Sequence, residues 1–128
     1  MGVELIYRGA ISEVYAWSSG GFCDVREFLR GLEQESNGDA EGLRRLIKRT
    51  ADNGPIHNKE QCRKLEGKHC EDLFEFKARR GARILWFYDK GKIIVCAHAF
   101  VKKGQATPRK EIDKAQEVRQ QYHREKGR

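Results

Sequence analysis

No stretch of this 128-residue chain is apolar for long enough to cross a membrane, and its N-terminus lacks the apolar core of a secretory signal. The reading is a cytoplasmic protein with no membrane partner. Repeats, low-complexity tracts and internal linkers are all missing, so residues 1–128 are expected to form one domain. The four cysteines, Cys23, Cys62, Cys70 and Cys96, show no disulfide-framework spacing and are read as free thiols of a reducing compartment. His57, Cys62, His69 and Cys70 cluster in sequence, but without a C-x-x-C or H-x-x-x-H pair they are not assigned to zinc, and no cofactor is expected. Proline occurs twice, as Pro55 and Pro108, each time where a helical pattern stops or starts. Acidic residues are outnumbered 19 to 26 by Lys and Arg, giving a net charge of +7 and a pI near 9.4. Such an excess favours nucleic acid, the ribosome or an acidic protein as partner.

What is present centres on Leu65–Lys103. Three β-rich runs, Leu73–Ala78, Arg83–Tyr88 and Ile93–Val101, are separated by Arg79-Arg80-Gly81 and Asp89-Lys90-Gly91. Glycine in each break can supply the positive φ of a tight hairpin, so an antiparallel meander is expected. With Arg79-Arg80-Gly81 as the first loop, its glycine closing a bulge, and Lys90-Gly91 as the second, Lys77 would pair with Arg83 and Arg83 with His98. Side chains alternate along a strand. One face then reads Phe74, Phe76, Ala78, Ala82, Ile84, Trp86, Ile93, Val95, Ala97, Ala99 and Val101, an apolar core side. The other reads Leu73, Glu75, Lys77, Arg83, Leu85, Phe87, Ile94, Cys96, His98 and Phe100, a mixed face with a cationic corner of Lys77, Arg83 and His98. That corner suits a phosphate-bearing ligand; the alternative is a solvated face with scattered charges.

Upstream, Val3–Arg8 alternates as a strand, and Val14–Trp17 continues it or forms a second one. Asp24 and Glu27 have capping-box spacing ahead of a helix from about Val25 to Glu35. A second helix begins near Asp39, buries Leu43, Leu46, Ile47 and Ala51, and ends at Asn53-Gly54-Pro55. Its Arg44, Arg45, Lys48 and Arg49 are read as a solvated polar side in preference to an RNA contact. Ile56–Lys68 reads as a polar loop with a short helical turn. Thr107 and Pro108 are expected as cap and first residue of a last helix, docked through Ile112, Ala115, Val118 and Tyr122, with a frayed tail at 123–128. The fold class is α+β: an N-terminal strand, a helical hairpin, a three-stranded antiparallel meander and a C-terminal helix, in two layers.

The order of elements carries specific motifs with it. These are Lys64-Leu65, Asp72-Leu73-Phe74-Glu75-Phe76-Lys77, Arg83-Ile84-Leu85-Trp86-Phe87, His98-Ala99-Phe100-Val101-Lys102-Lys103, Thr107-Pro108 and Glu111-Ile112-Asp113-Lys114-Ala115. Together they resemble the RelE/ParE toxin superfamily, in particular its HigB-like, phage-derived branch. The resemblance covers Lys64 to Ala115 and does not extend to Tyr7–Gly21. It implies a RelE-like fold and a type II toxin–antitoxin toxin that cleaves mRNA on the ribosome without a metal, inhibiting translation. The RNA 2′-OH would attack the adjacent phosphate, with Lys77, Arg83 and His98 as the implied catalytic residues. Lys64, Lys68, Arg79, Arg80, Lys102 and Lys103 are the implied contacts to RNA or ribosome. Where the family commonly has Arg, Lys77 keeps the charge but loses the two-pronged phosphate grip, and Arg79 and Arg80 follow at once. A cognate antitoxin, often of helix-turn-helix type, is the implied protein partner. The alternatives are a ParE-like, gyrase-directed toxin and a non-catalytic nucleic-acid-binding accessory protein.

Overall fold

The computed structural model describes residues 2–104 and 106–126. Strands β1 (Gly2–Arg8) and β2 (Glu13–Ser18) form a hairpin, followed by helices α1 (Asp24–Gln34) and α2 (Asp39–Asn53). Then come β3 (Cys62–Lys64), a 3-10 turn at Lys68–Cys70, β4 (Phe74–Lys77), β5 (Ala82–Asp89), β6 (Ile93–Val101) and α3 (Arg109–Lys126). The six strands make one sheet in the order β1-β2-β6-β5-β4-β3. All neighbours are antiparallel except β2 and β6, which run parallel from Glu13–Ile93 to Ala16–Cys96.

The α+β order is as expected, with α1 and α2 packed on one face of the sheet. Val25, Leu29 and Leu32 of α1 and Leu43, Leu46, Ile47 and Ala51 of α2 meet Val14, Ala16, Phe76, Ile84, Trp86, Ile94 and Cys96. The last helix lies across the opposite face, where Ile112 and Ala115 bury Leu73, Leu85, Phe87, Val95, Ala97 and Phe100. The sheet is therefore apolar on both sides over most of its width. All four cysteines are free and buried.

Local chemistry explains the boundaries. Helix α2 stops where Gly54 turns to φ 94°, a conformation costly for any residue with a Cβ. At the start of α1, Cys23 and not Asp24 occupies the cap, and no side chain caps the helix. Asp24 and Glu27 instead lie in the first turn, where the helix dipole favours negative charge. The hydroxyl of Thr107, expected as the cap of α3, donates to Glu75, 2.8 Å away. Cys62–Lys64, expected as loop, is an edge strand, and the helical turn expected within Ile56–Lys68 comes at its end, at Lys68–Cys70. The tail expected to fray is helical as far as Lys126, whose ammonium pairs with Asp89, while residues 127 and 128 lie outside the described residues.

The meander keeps one expected register and changes the other. Lys77 pairs with Arg83 as predicted. The β5–β6 loop, however, has three residues, with Asp89 opposite Ile93. Farther along, β6 carries a bulge at Ala97, because Trp86 pairs with Cys96 and Leu85 with His98. Arg83 consequently pairs with Phe100 and not with His98. Ile94 and Cys96 turn to the α1–α2 side, while Ile93, Val95 and Ala97 turn to the α3 side, the reverse of the sequence expectation. Beyond the bulge the expected phase returns, with Ala99 against α1 and α2 and Phe100 under α3.

Candidate functional site

The chemistry collects at one end of the sheet, where β4 ends, β5 begins and β6 leaves for α3. Edge strand β3 places Arg63 directly opposite Glu75 of β4. Glu75 is fully buried, so its charge needs partners. Arg63 Nε donates to one carboxylate oxygen at 3.1 Å and the Thr107 hydroxyl to the other at 2.8 Å. The second Arg63 prong reaches Thr107 Oγ1 at 3.4 Å, so β3, β4 and the entry to α3 are held at one point.

One row along the same face stand Lys77 and Arg83. The Arg83 guanidinium donates through one terminal nitrogen to the carbonyls of Ala78 (2.7 Å) and Ala82 (3.0 Å), fixing the β4–β5 turn, while its Nε is buried with no partner among the described residues. Burial pulls the Arg83 pKa below its ordinary value, and the negative charges of Glu75 and Asp39 oppose that shift. Lys102 approaches from the end of β6. Its backbone N–H donates to the Gly81 carbonyl at 2.7 Å. A Cβ on Gly81 would lie 2.9 Å from the Lys102 carbonyl, and Gly81 has φ +108°. Only glycine combines that backbone angle with that close approach. The Lys102 amine is held below the usual lysine range, first by burial, then by the positive charges of Arg83, Arg63 and Lys77; Glu75 opposes them. Arg63, Arg83 and Lys102 thus surround one buried carboxylate, and Lys77, its amine donating to the Lys59 carbonyl at 3.2 Å, adds its charge beside Lys102, an arrangement with charge to spare for an anion.

The sequence-predicted residues divide accordingly. Lys77, Arg83 and Lys102 come together. His98 shares their face but sits in another row, since the bulge puts Phe100 beside Arg83. Its ring stacks on Phe100 at 5.8 Å between centroids, and its Nε2 is 2.7 Å from a Glu111 carboxylate oxygen of α3. The expected corner of Lys77, Arg83 and His98 is therefore not formed. Nor is the mixed face an open seat, because α3 covers its apolar part. Arg79 and Arg80 are exposed in the β4–β5 turn and line a cleft with Lys77 on the α2 side. Lys64 lies along the β3 edge in a groove of about 900 Å³ that also includes Arg63 and Thr107. Lys68 is exposed in the 3-10 turn and Lys103 just after β6. Among the described residues no three His, Cys, Asp or Glu side chains are grouped to hold a metal ion.

Arg63 and Thr107 are the residues of this cluster that sequence reading missed. The signal was Glu75 itself, a carboxylate between Phe74 and Phe76 in a buried strand, which demands a cation and a donor from neighbouring elements. Tyr122, read as a core residue, lies part-buried on α3 and donates to Asp89 at 2.6 Å.

A sequence profile for the family described as Phage derived protein Gp49-like (DUF891) matches residues 27–120, well over half of the chain. The chain belongs to the Gp49-like family. This is a phage-derived, toxin-like family. The matched span of this Gp49-like chain runs from α1 into α3 and contains every residue of the cation cluster, leaving the β1–β2 hairpin outside. No curated protein matches the chain. No helix of this Gp49-like protein, among the described residues, is long and apolar enough to cross a membrane.

Proposed function

We propose that this Gp49-like protein is a HigB-like toxin of a type II toxin–antitoxin system, acting in the cytoplasm as a ribosome-dependent mRNA endonuclease. The observation that carries the reading is the convergence of Arg63, Arg83 and Lys102 around buried Glu75, with the Lys77 charge beside Lys102. Phosphoryl transfer needs fixed positive charge where a pentacoordinate phosphorane would form, and needs groups that move protons. In this reading Arg83 and Lys77 hold the scissile phosphate. The 2′-oxygen bonds to phosphorus, the bond to the 5′-oxygen breaks, and a cyclic phosphate and a free 5′-hydroxyl result. Lys102, its pKa lowered by burial and by its neighbours, takes the proton from the 2′-OH more readily than a solvated lysine. The leaving 5′-oxygen takes its proton from water, since His98 lies in another row of the sheet and is tied to Glu111. Arg63 serves by holding Glu75, which in turn fixes the field at the cluster. A cognate antitoxin would neutralise this end of the sheet by covering it.

The test is primer-extension mapping of a reporter mRNA in a purified translation system, with and without ribosomes. Wild type is compared with Lys77→Gln, Lys102→Gln and Arg83→Lys, the last chosen because Arg83 also holds the turn. Cuts that need ribosomes and fall at least about 100-fold in the Lys102 variant are expected, the size of a lost acid–base group. A wild-type protein that makes no cuts while arresting growth would overturn the reading in favour of a gyrase-directed or other binding toxin.

A further inference from the structure

The exposed cations of α2 fall into two sets. Arg44 pairs with Glu33 and Lys48 with Asp52. Arg45 and Arg49 face the other way, into a cleft of about 660 Å³ between α2 and the β4–β5 turn. Lys77, Arg79 and Arg80 line its opposite wall. None of these five cations makes an ion pair among the described residues. Two acidic residues line the same cleft, Asp39 and Glu60. The Asp39 carboxylate is already engaged, accepting the backbone N–H groups of Arg80 (3.0 Å) and Ala82 (3.1 Å). Those two bonds hold the turn against the start of α2 and so hold the five charges near one another. Like charges gathered around one cavity raise the energy of the free protein, and an anion relieves it.

We propose that this cleft is a second anion site, which takes the backbone phosphates of the single-stranded RNA that flanks the one cleaved. The inference rests on the function proposed above and extends it across the sheet. Lys77 is the link: its positive charge reaches Lys102 in the cluster on the α3 side, and its side chain also lines the α2 cleft. A strand leaving Arg83 and Lys102 passes over the β4–β5 turn and meets Arg79, Arg80, Arg45 and Arg49 in succession. Four of the five cleft cations are arginines, whose planar fork matches two phosphate oxygens at once, which favours a nucleic-acid backbone over the carboxylates of an acidic peptide. The substrate class is therefore an extended single strand of several nucleotides, not a mononucleotide.

The experiment is fluorescence anisotropy of the full chain with a labelled twelve-nucleotide oligouridylate, 2′-O-methylated so that it cannot be cut, across a salt series. Because it reads binding by the free protein, a failure of ribosome-dependent cleavage leaves its result interpretable. Arg45→Gln/Arg49→Gln is compared with Arg30→Gln/Arg44→Gln, which removes the same formal charge from α1 and α2 outside the cleft. The cleft variant is expected to bind about ten-fold more weakly than the control, and its slope of log affinity against log salt to shrink by about 1.4, the value for two lost contacts to a single strand. A dimethylated dinucleotide should not distinguish the two variants. Equal affinity and equal slope for the twelve-mer would overturn the proposal. So would loss of binding to a glutamate-rich peptide with RNA binding intact, which would assign the cleft to an acidic protein.

Discussion

Arg63 and Glu75 face each other across β3 and β4, the guanidinium about one-third exposed and the carboxylate fully buried, 3.1 Å apart. The asymmetry decides which of the two is indispensable. Removing Arg63 leaves a buried charge with Thr107 as its one direct hydrogen-bond donor among the described residues, whereas Glu75→Gln leaves a neutral amide whose oxygen can accept from Arg63 and whose NH2 can donate to the Thr107 hydroxyl. Arg63→Ala should therefore destabilise by roughly 2 kcal/mol, and Glu75→Gln by less, as expected when one partner of a buried pair is stranded. Urea unfolding of the single variants and the double variant checks this; if the double is as unstable as the sum of the singles, the pair is not coupled.

Gly81→Ala places a Cβ 2.9 Å from the Lys102 carbonyl at φ +108°. The variant should lose more than about 1 kcal/mol of stability, the cost of alanine in a left-handed conformation. It should also lose cleavage out of proportion to its folded fraction, since Lys102 is displaced from Arg83. Cleavage rate per folded molecule, with the folded fraction taken from circular dichroism, is the measurement. A variant that cuts normally once folded would remove Lys102 from the site.

Trp86 lies between Phe74 and Phe76, with ring centroids 4.6 and 4.8 Å away, and Tyr88 meets it edge-on at 5.0 Å. Trp86→Ala should cost about 3–5 kcal/mol, the range for truncating a large buried aromatic. Denaturant midpoints read the loss. A midpoint shift under a quarter of that size would mean the stack contributes little to the fold.

Acid should act on the far end of the sheet through Asp89. Burial alone would raise its pKa, but hydrogen bonds from Lys126 and Tyr122 and the Lys126 charge outweigh it and hold the carboxyl below its ordinary value. A carboxyl lowered in the folded state contributes stability that is present above its unfolded pKa, about 3.9, and fades as pH falls through the folded one. Melting temperature should therefore drop more steeply below about pH 4 for wild type than for Asp89→Asn. Parallel curves would show that the α3 clasp is not carried by this charge.

The outline of the fold was legible because its boundaries are marked by residues with one dominant preference. Gly54 ends α2, Gly81 closes the β4–β5 turn, and the Lys77–Arg83 register follows from that turn. The Ala97 bulge was not legible: Ile93–Ala97 is apolar throughout, so no polar residue reports which face each one takes, and a slip leaves no trace in the pattern. Strand β3 is three residues long, too short for alternation to show. The position of α3 was half visible. Leu85, Phe87 and Phe100 on the supposed ligand face amount to an apolar surface that needs a cover, and the stripe of Ile112, Ala115, Val118 and Tyr122 was the cover. For the site, the cations were readable one by one, but their grouping depended on Glu75 finding Arg63 and Thr107 from elements distant in sequence. The cleft against α2 was hidden for the same reason: an unpaired arginine and a paired one look alike until the neighbouring turn is in place.

The parallel pairing of β2 with β6 sets an order of assembly. On a ribosome, β1, β2, α1 and α2 all emerge before the strand against which β2 must lie, since Ala16 awaits Cys96. Until β6 is made, the apolar sides of both helices have half a sheet to cover them. Long-range pairing of this kind is slow and leaves sticky surface exposed meanwhile. The basic cluster is completed by the same late segment, because Lys102 and Thr107 follow β6. A chain made only as far as β5 therefore carries the scaffold without the chemistry, and whatever activity the cluster confers is switched on only after β6 and the entry to α3 have been made.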